Sequence, residues 1–186
     1  MAAIPSNMLP LGTIAPEFEL PDVVSGEQRR LSSLRSDAAT VIMFICNHCP
    51  YVKHVNKGLV SLARDYQPQG VTFIAISSND VEAFPADAPE RMKEVAEEQG
   101  YPFPYLYDAD QSVARAYQAA CTPDLYIFDA GLELVYRGQL DDARPRNDVP
   151  VTGKDVRAAL DAILAGEPVA AEQRPSIGCN IKWRET

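Results

Sequence analysis

Residues 40–54 constrain the fold most, because a largely apolar segment there runs directly into a Cys-x-x-Cys motif. Residues 40–45 are rich in β-branched side chains, which is typical of a strand buried on both faces. After Pro50 the apolar residues recur at helical spacing, at Val52, Val55, Leu59, Leu62 and Tyr66. The chain is therefore predicted to pass from a buried strand into a helix across Cys46 and Cys49.

The reactivity of this motif depends on which cysteine is a thiolate, because a free thiol with a pKa of about 8.5 is mostly protonated at neutral pH. A helix that begins within residues 47–50 would place Cys46 at its N-terminus, where free N–H groups and the helix dipole stabilise a thiolate. Protonated His48 and Lys53 would add positive charge. We therefore predict that Cys46 attacks and that Cys49 resolves the intermediate by closing a disulfide, which requires no bound cofactor.

The same spacing also forms half of a zinc site, which would need a second pair of ligands. Downstream the chain offers only Cys121 and Cys179, which are far apart in sequence, and no histidine follows His54. The pattern therefore favours redox chemistry with no metal at the site.

The rest of the chain predicts alternating strands and helices followed by an antiparallel pair. A helix is expected to open at Asp87, Pro89 and Glu90. Strands are expected at residues 71–77, 103–107, 124–128 and 132–137. No repeat or composition shift marks a boundary, so residues 1–186 are predicted to form a single domain. The tail, residues 167–186, is expected to dock on it, because a lone exposed tryptophan such as Trp183 is unusual.

The composition narrows the possible partners and compartment. A net charge of −9 and a pI near 4.7 argue against binding to nucleic acid or an anionic membrane. The longest apolar run, residues 41–46, is too short to cross a bilayer, and residues 1–12 lack the basic and apolar regions of a signal peptide. A cytoplasmic protein is therefore expected, and in that compartment cysteines are more often catalytic or metal-binding than part of a disulfide scaffold.

Three segments resemble the thioredoxin superfamily, and within it the redoxin or peroxiredoxin-like (AhpC/TSA-like) branch. They are Gly-Thr-Ile-Ala-Pro-Glu-Phe-Glu-Leu at 12–20, Cys-Asn-His-Cys-Pro at 46–50 and Cys-Thr-Pro-Asp at 121–124. The resemblance implies an α/β fold with a central mixed sheet flanked by helices, here with an N-terminal hairpin extension. It also implies a cis Pro123 facing the cysteine pair, with Cys121 nearby. The Thr122 backbone would then be free to pair with an extended peptide substrate.

The chain departs from the family patterns near the motif. Ile45 stands where thioredoxins have a tryptophan, and Thr40 stands where they have a buried aspartate. If Cys49 is aligned with the peroxidatic cysteine of peroxiredoxins, Cys46 takes the place of their threonine. The peroxide-binding triad is therefore not reproduced in the sequence.

These observations lead to three functional hypotheses. The first is a thiol-disulfide oxidoreductase that uses Cys46 and Cys49, supported by His48, Lys53, Thr122, Pro123 and Cys121. The second is an antioxidant hydroperoxidase with Cys49 as the peroxidatic residue, and the third is a non-enzymatic soft-metal protein that uses Cys46, Cys49 and His48 or Cys121. The expected partners are a protein or small-molecule disulfide or a peroxide, together with a thiol electron donor. Cys179 is a candidate extra redox thiol, and the sequence leaves open whether the chain forms a homodimer.

Overall fold

The computed structural model describes residues 3–185, which form ten strands and five α-helices. The strands are β1 (Ala3–Pro5), β2 (Glu19–Pro21), β3 (Gln28–Arg30), β4 (Ala39–Phe44), β5 (Val71–Ser77), β6 (Tyr105–Tyr107), β7 (Cys121–Thr122), β8 (Asp124–Asp129), β9 (Leu134–Gly138) and β10 (Ile177–Asn180). The helices are α1 (Leu31–Leu34), α2 (Pro50–Tyr66), α3 (Pro89–Gln99), α4 (Ser112–Ala116) and α5 (Lys154–Leu164).

A five-stranded mixed sheet in the order β6-β5-β4-β8-β9 forms the centre of the fold. Strands β4, β5 and β6 run parallel, whereas β8 pairs antiparallel with both β4 and β9. Every residue of β4 is buried, as its apolar sequence predicts. The predicted central mixed sheet is therefore confirmed. Its middle strand, β4, leads directly into the cysteine motif.

The two faces of this sheet bury separate apolar clusters. Val41 and Met43 of β4 pack on one face with side chains of α2, α3 and α5. Ile42 and Phe44 pack on the other with side chains of α1 and α4 and with the chain around Phe18. Alternate residues of one strand thus support both faces, which explains why five of its six residues are apolar rather than alternating with polar residues.

Two smaller sheets lie outside the central one. Strands β2 and β3 form the predicted N-terminal hairpin, and β1, β10 and β7 form a three-stranded antiparallel sheet. In the second of these, β10 from the C-terminal tail lies between β1 and β7. The tail thereby reaches the strand that precedes Pro123. None of the helices described is both long and apolar enough to span a bilayer.

Candidate active site

The cysteine motif spans the loop between β4 and α2. Helix α2 begins at Pro50, and Cys49 is its N-cap residue, with an extended backbone. Proline suits the first helical position because its missing N–H has no intrahelical partner there. The Cys46 side chain is 2 % exposed and that of Cys49 is 0 % exposed. The helix therefore begins at the second cysteine of the motif, and both thiols are screened from bulk water.

Asp87 holds the loop between the two cysteines. Its Oδ1 atom accepts hydrogen bonds from the backbone N–H groups of Asn47 (2.8 Å) and His48 (3.2 Å). The Asn79 side chain donates to its Oδ2 atom at 2.8 Å. The sequence predicted that Asp87 helps to open α3, but Ala88 is the N-cap of that helix and makes no side-chain capping bond. The predicted helix does begin at Pro89, with Glu90 in its first turn, but the capping role expected of Asp87 is wrong, because its carboxylate turns away from α3 to the loop.

The His48 ring is fixed by two contacts. Its Nδ1 atom lies 2.5 Å from Asp87 Oδ2, and its ring stacks on Phe84 with centroids 5.3 Å apart. Burial alone would raise the pKa of Asp87, but the hydrogen bonds from His48 and Asn79 outweigh it and the pKa is lowered. Asp87 therefore remains a carboxylate at neutral pH and places a negative charge beside the cysteine loop.

The electrostatics of the pair favour a thiolate at Cys49. The hydrogen bond from the Cys46 thiol lowers the pKa of Cys49 to about 4, against the opposing effect of burial. The same hydrogen bond raises the pKa of Cys46 far above its usual range, and burial and the Asp87 charge act in the same direction. These opposite shifts make Cys49 the more acidic thiol of the pair.

The geometry removes two premises of the expectation that Cys46 is the thiolate. The prediction relied on free N–H groups at residues 47 and 48, but both groups donate to Asp87 instead. It also relied on positive charge from His48, whereas the ring is paired with a carboxylate that disfavours an anion at Cys46. The N-cap position, where a helix favours negative charge, belongs to Cys49.

The chain around Pro123 faces the pair. The Thr122–Pro123 peptide bond is cis, which confirms the implication of the family resemblance. When protonated, the Cys49 thiol donates a hydrogen bond to the Thr122 carbonyl oxygen at 3.2 Å, and the Cys46 sulfur lies 3.5 Å from Thr122 Oγ1. Both sulfurs therefore meet one residue of β7.

The β7 backbone at Thr122, called here the Thr122 edge, is already paired. Strand β10 lies antiparallel to it, with Cys179 opposite Thr122. Gly178 packs so closely that a Cβ atom there would overlap the Thr122 carbonyl oxygen. The expectation that this edge is free for an extended peptide substrate is therefore wrong, because the chain's own tail occupies it.

The remaining predicted site residues lie at different distances from the pair. Cys179 contacts the Cys49 sulfur, and burial followed by this contact raises the pKa of Cys179 to about 12. The Cys121 sulfur lies 3.8 Å from the Pro123 carbonyl oxygen. Lys53 is exposed on α2 and lines a surface cleft of about 480 Å³ that also borders Asn47 and His48. Cys179 therefore lies beside the two sulfurs of the motif, whereas Lys53 lies at the protein surface.

Three groups near the loop could serve as metal donors. The Cys46 sulfur, a His48 ring nitrogen and an Asp87 carboxylate oxygen lie within 4.8 Å of one another. Thiolate, imidazole and carboxylate are all zinc ligands. A metal ion here would have to replace the hydrogen bond between His48 Nδ1 and Asp87, because that bond already uses the facing atoms. In the structure, His48 and Asp87 instead form a hydrogen bond that supports the cysteine loop.

Replacing Asp87 with asparagine should destabilise the protein by about 2 kcal/mol, because a buried amide cannot accept both bonds that Oδ2 now receives. The free energy of unfolding in urea measures this effect. Asp65→Asn is the matched control, since Asp65 is half exposed and pairs with Arg157 at the surface. The control should change stability by less than about 0.5 kcal/mol. Equal effects of the two variants would contradict a special role for Asp87.

A second buried carboxyl group, Asp124, predicts a pH dependence of stability. Burial raises its pKa from 3.8 to about 7, and Tyr126 is its hydrogen-bond partner. Since the folded state holds this proton more tightly than the unfolded state, stability present below pH 3.8 is lost as pH rises toward about 7. The free energy of unfolding should fall by about 2 kcal/mol from roughly pH 5 to pH 7 through this group. Asp124→Asn should remove that component, and an unchanged pH profile in the variant would contradict it.

Several residues around the site carry no signal in the sequence. Asn79, Phe84 and Asp87 come from the segment between β5 and α3, and Tyr105 donates to the Asn47 side chain from β6. The available hint was topological, since the carboxyl ends of the parallel strands β4 and β5 meet at one edge of the sheet. Polar residues just after β5 are therefore expected near the end of β4.

Comparison with protein-family models places residues 11–137 in the AhpC/TSA family. A search of curated proteins found no match. Among solved structures, the chain is similar to an uncharacterised conserved protein from Geobacillus kaustophilus, with 64% identity and a TM-score of 0.99. That match covers 100% of this chain and 98% of the other.

Two further structures are similar. A hypothetical protein from Sinorhizobium meliloti shares 49% identity at a TM-score of 0.95, over 98% of this chain and 99% of that one. The peroxidoxin BcpB from Mycobacterium tuberculosis shares 20% identity at a TM-score of 0.62, over 84% of this chain and 96% of that one. The last match is informative about fold alone.

Proposed function

Because this chain belongs to the AhpC/TSA family, we propose that it is a thiol-disulfide oxidoreductase that cycles Cys46 and Cys49 between a dithiol and a disulfide. The observation that supports this most is the position of Cys46 and Cys49, two buried thiols in one loop at the start of α2 that both face Thr122. A thiolate beside a protonated thiol supplies an attacking group and a resolving group in one loop.

The proposed cycle begins at Cys49. Its thiolate attacks one sulfur of a substrate disulfide, so a mixed disulfide forms and the other substrate sulfur departs as a thiolate. Cys46 then attacks the Cys49 sulfur, its proton goes to the departing sulfur, and the second substrate thiol is released. The substrate gains two electrons from the pair and one proton from Cys46, the first departing thiolate takes its proton from solvent, and Cys46 and Cys49 are joined. An external thiol donor reduces that disulfide to close the cycle.

The surroundings of the pair favour a small substrate. Strand β10 occupies the Thr122 edge, and both sulfurs are at most 2 % exposed. A polypeptide would have to displace β10 to pair there, whereas a small molecule needs only a local opening of the loop. The cleft of about 480 Å³ beside Asn47 and His48 ends at that loop and is the proposed direction of approach.

Hydroperoxide reduction is the second candidate, and the thiolate at Cys49 favours it. The thiolate would attack the O–O bond, release an alcohol or water after protonation, and become a sulfenic acid. Cys46 would then displace water from that sulfur and close the same disulfide. Cys46 also supplies a hydrogen bond to Cys49 from the position where peroxiredoxins have a threonine.

A trapping experiment distinguishes the two reactions. The variant Cys46→Ser/Cys179→Ser removes both thiols that contact Cys49, so the first intermediate should accumulate. With one equivalent of a small aromatic disulfide, the proposal predicts a mixed disulfide on Cys49. With hydrogen peroxide, the second candidate predicts a sulfenic acid on Cys49, which dimedone labels.

The relative rates of the two trapping reactions identify the preferred substrate class. The wild-type protein, treated in the same way, should form the Cys46–Cys49 disulfide. If neither reagent modifies Cys49 in the double variant while wild-type cysteines stay reduced, the proposed function is wrong. If hydrogen peroxide reacts far faster than the disulfide, the second candidate replaces the first.

A further inference from the structure

The C-terminal tail brings a third thiol to the cysteine pair. Strand β10 places Cys179 opposite Thr122, the residue whose carbonyl group and hydroxyl group meet Cys49 and Cys46. Cys179 lies in the same buried apolar cluster as Cys46 and Cys49, close enough for Cys49 to raise the pKa of its thiol. The Cys49 sulfur therefore has two thiol neighbours, Cys46 from its own loop and Cys179 from the tail.

The position of Cys179 is fixed on both sides along the chain. On one side, Gly178 packs directly against the Thr122 carbonyl group, which only a residue without a side chain allows. On the other side, the Lys182 N–H donates to the Asn79 side chain at 2.9 Å, and the Lys182 carbonyl accepts from the Asp80 N–H at 2.8 Å. The tail thus docks in one register, and that register presents Cys179 to Cys49.

We propose that Cys179 is a second resolving thiol, which takes the disulfide from Cys46 by exchange at the Cys49 sulfur. This inference rests on the proposed function, because it requires an oxidised Cys49. The Cys179 sulfur attacks Cys49, the Cys46–Cys49 bond breaks and the Cys49–Cys179 bond forms. Cys46 leaves as a thiolate and receives the proton that Cys179 loses. The exchange is intramolecular and needs no further oxidant or reductant.

The environment of Cys46 favours its protonated form once it has left the disulfide. In the reduced pair the pKa of Cys46 is raised by its hydrogen bond with Cys49, by burial and by the Asp87 charge. The last two still act when Cys49 is in a disulfide, so a thiolate that leaves at Cys46 takes up a proton readily. The new disulfide would join the start of α2 to β10. The tail, held before by backbone hydrogen bonds and packing, would then be covalently closed over the Thr122 edge.

Tryptic mapping can identify the two disulfides without ambiguity. Cys46 and Cys49 share the tryptic peptide 36–53, Cys121 lies in 116–137 and Cys179 lies in 158–182, because the bond after Arg174 precedes proline and is not cut. A Cys46–Cys49 disulfide stays within one peptide. A Cys49–Cys179 disulfide joins peptides 36–53 and 158–182.

The test uses the full chain with Cys46→Ser, oxidised by one equivalent of diamide and blocked with iodoacetamide. The proposal predicts that peptides 36–53 and 158–182 become joined within a monomer, and that Cys46→Ser/Cys179→Ser loses this product. Wild-type protein poised in graded glutathione buffers should also show both disulfides, which requires no substitution. If Cys49 in Cys46→Ser forms only a glutathione adduct, a sulfenic acid or an intermolecular bond, and wild-type protein shows only the Cys46–Cys49 disulfide, the proposal is overturned.

Failure of this inference is distinguishable from failure of the proposed function. A wild-type protein that closes Cys46–Cys49 but never Cys49–Cys179 retains the proposed function and rejects the role of Cys179. A wild-type protein in which Cys46 and Cys49 never form a disulfide under graded oxidation rejects the function itself.

Discussion

Replacing Cys49 with serine is expected to abolish dithiol-dependent turnover, by a factor on the order of 10³ or more. The proposed function puts the thiolate on this residue, because Cys49 is the N-cap of α2 and its pKa is lowered by the hydrogen bond from Cys46. A serine hydroxyl is not ionised at neutral pH and cannot attack a disulfide or a peroxide at a useful rate. The measurement is consumption of a small disulfide, and separately of hydrogen peroxide, with a dithiol as reductant.

Cys46→Ser is the matched variant, because it removes the other thiol of the same loop with the same change of atoms. Its serine hydroxyl can still donate a hydrogen bond to the Cys49 sulfur, so the first chemical step should survive. A single-turnover experiment should therefore show one released equivalent of product with Cys46→Ser and none with Cys49→Ser. The reverse order would mean that Cys46 is the attacking thiol.

Replacing Gly178 with alanine is expected to destabilise the protein by about 3 kcal/mol or more, because overpacking against rigid backbone forces the chain to move. The added Cβ atom would overlap the Thr122 carbonyl oxygen, which is the backbone of β7 and cannot rotate away. Strand β10 would lose its register, and Cys179 would move away from Cys49. Urea unfolding measures the stability, and hydrogen exchange of the β10 amides measures the local detachment.

Gly131→Ala is the control for this change. A Cβ atom at Gly131 would lie 3.4 Å from the Asp129 side chain, which is an ordinary contact. The control should therefore change stability by about 0.5 kcal/mol or less. If Gly178→Ala behaves like Gly131→Ala and its β10 amides stay protected, the close docking of the tail on the Thr122 edge is wrong.

The sequence predicts the strand and the helix around the cysteine motif because both have strong, uninterrupted patterns. The apolar run of β4 reflects burial on both faces, and the spacing from Val52 to Tyr66 reflects one buried side of α2. The hairpin of β2 and β3 and the antiparallel pair of β8 and β9 follow from turn residues between short strands. These elements depend on local sequence, so they are visible without tertiary information.

The protonation of the pair could not be predicted in the same way, because it depends on a carboxylate forty residues away in the chain. Asp87 takes the N–H groups of Asn47 and His48, which the sequence appeared to offer to Cys46. A polar residue before a predicted helix is normally interpreted as a cap, and nothing local to Asp87 indicates otherwise. The sequence alone therefore predicts free N–H groups beside Cys46 that the folded chain does not have.

Local sequence patterns also could not predict that the Thr122 edge is occupied. Strand β10 has four residues and alternates little, so it carries no strong strand signal. Its pairing partners, β1 and β7, are short strands distant from it in sequence. Only the assembled fold shows that the tail lies where an extended peptide was expected, and that it brings Cys179 with it.

The central claim, that Cys49 is the thiolate and Cys46 its protonated partner, is tested most directly by ultraviolet absorbance of the thiolate during a pH titration. Wild-type protein and Cys46→Ser should retain one thiolate at neutral pH, and in the wild type it should be lost only as pH falls to about 4. Cys49→Ser should show no thiolate at neutral pH, because burial and the Asp87 charge keep Cys46 protonated. A thiolate that persists at neutral pH in Cys49→Ser and disappears in Cys46→Ser would contradict the claim.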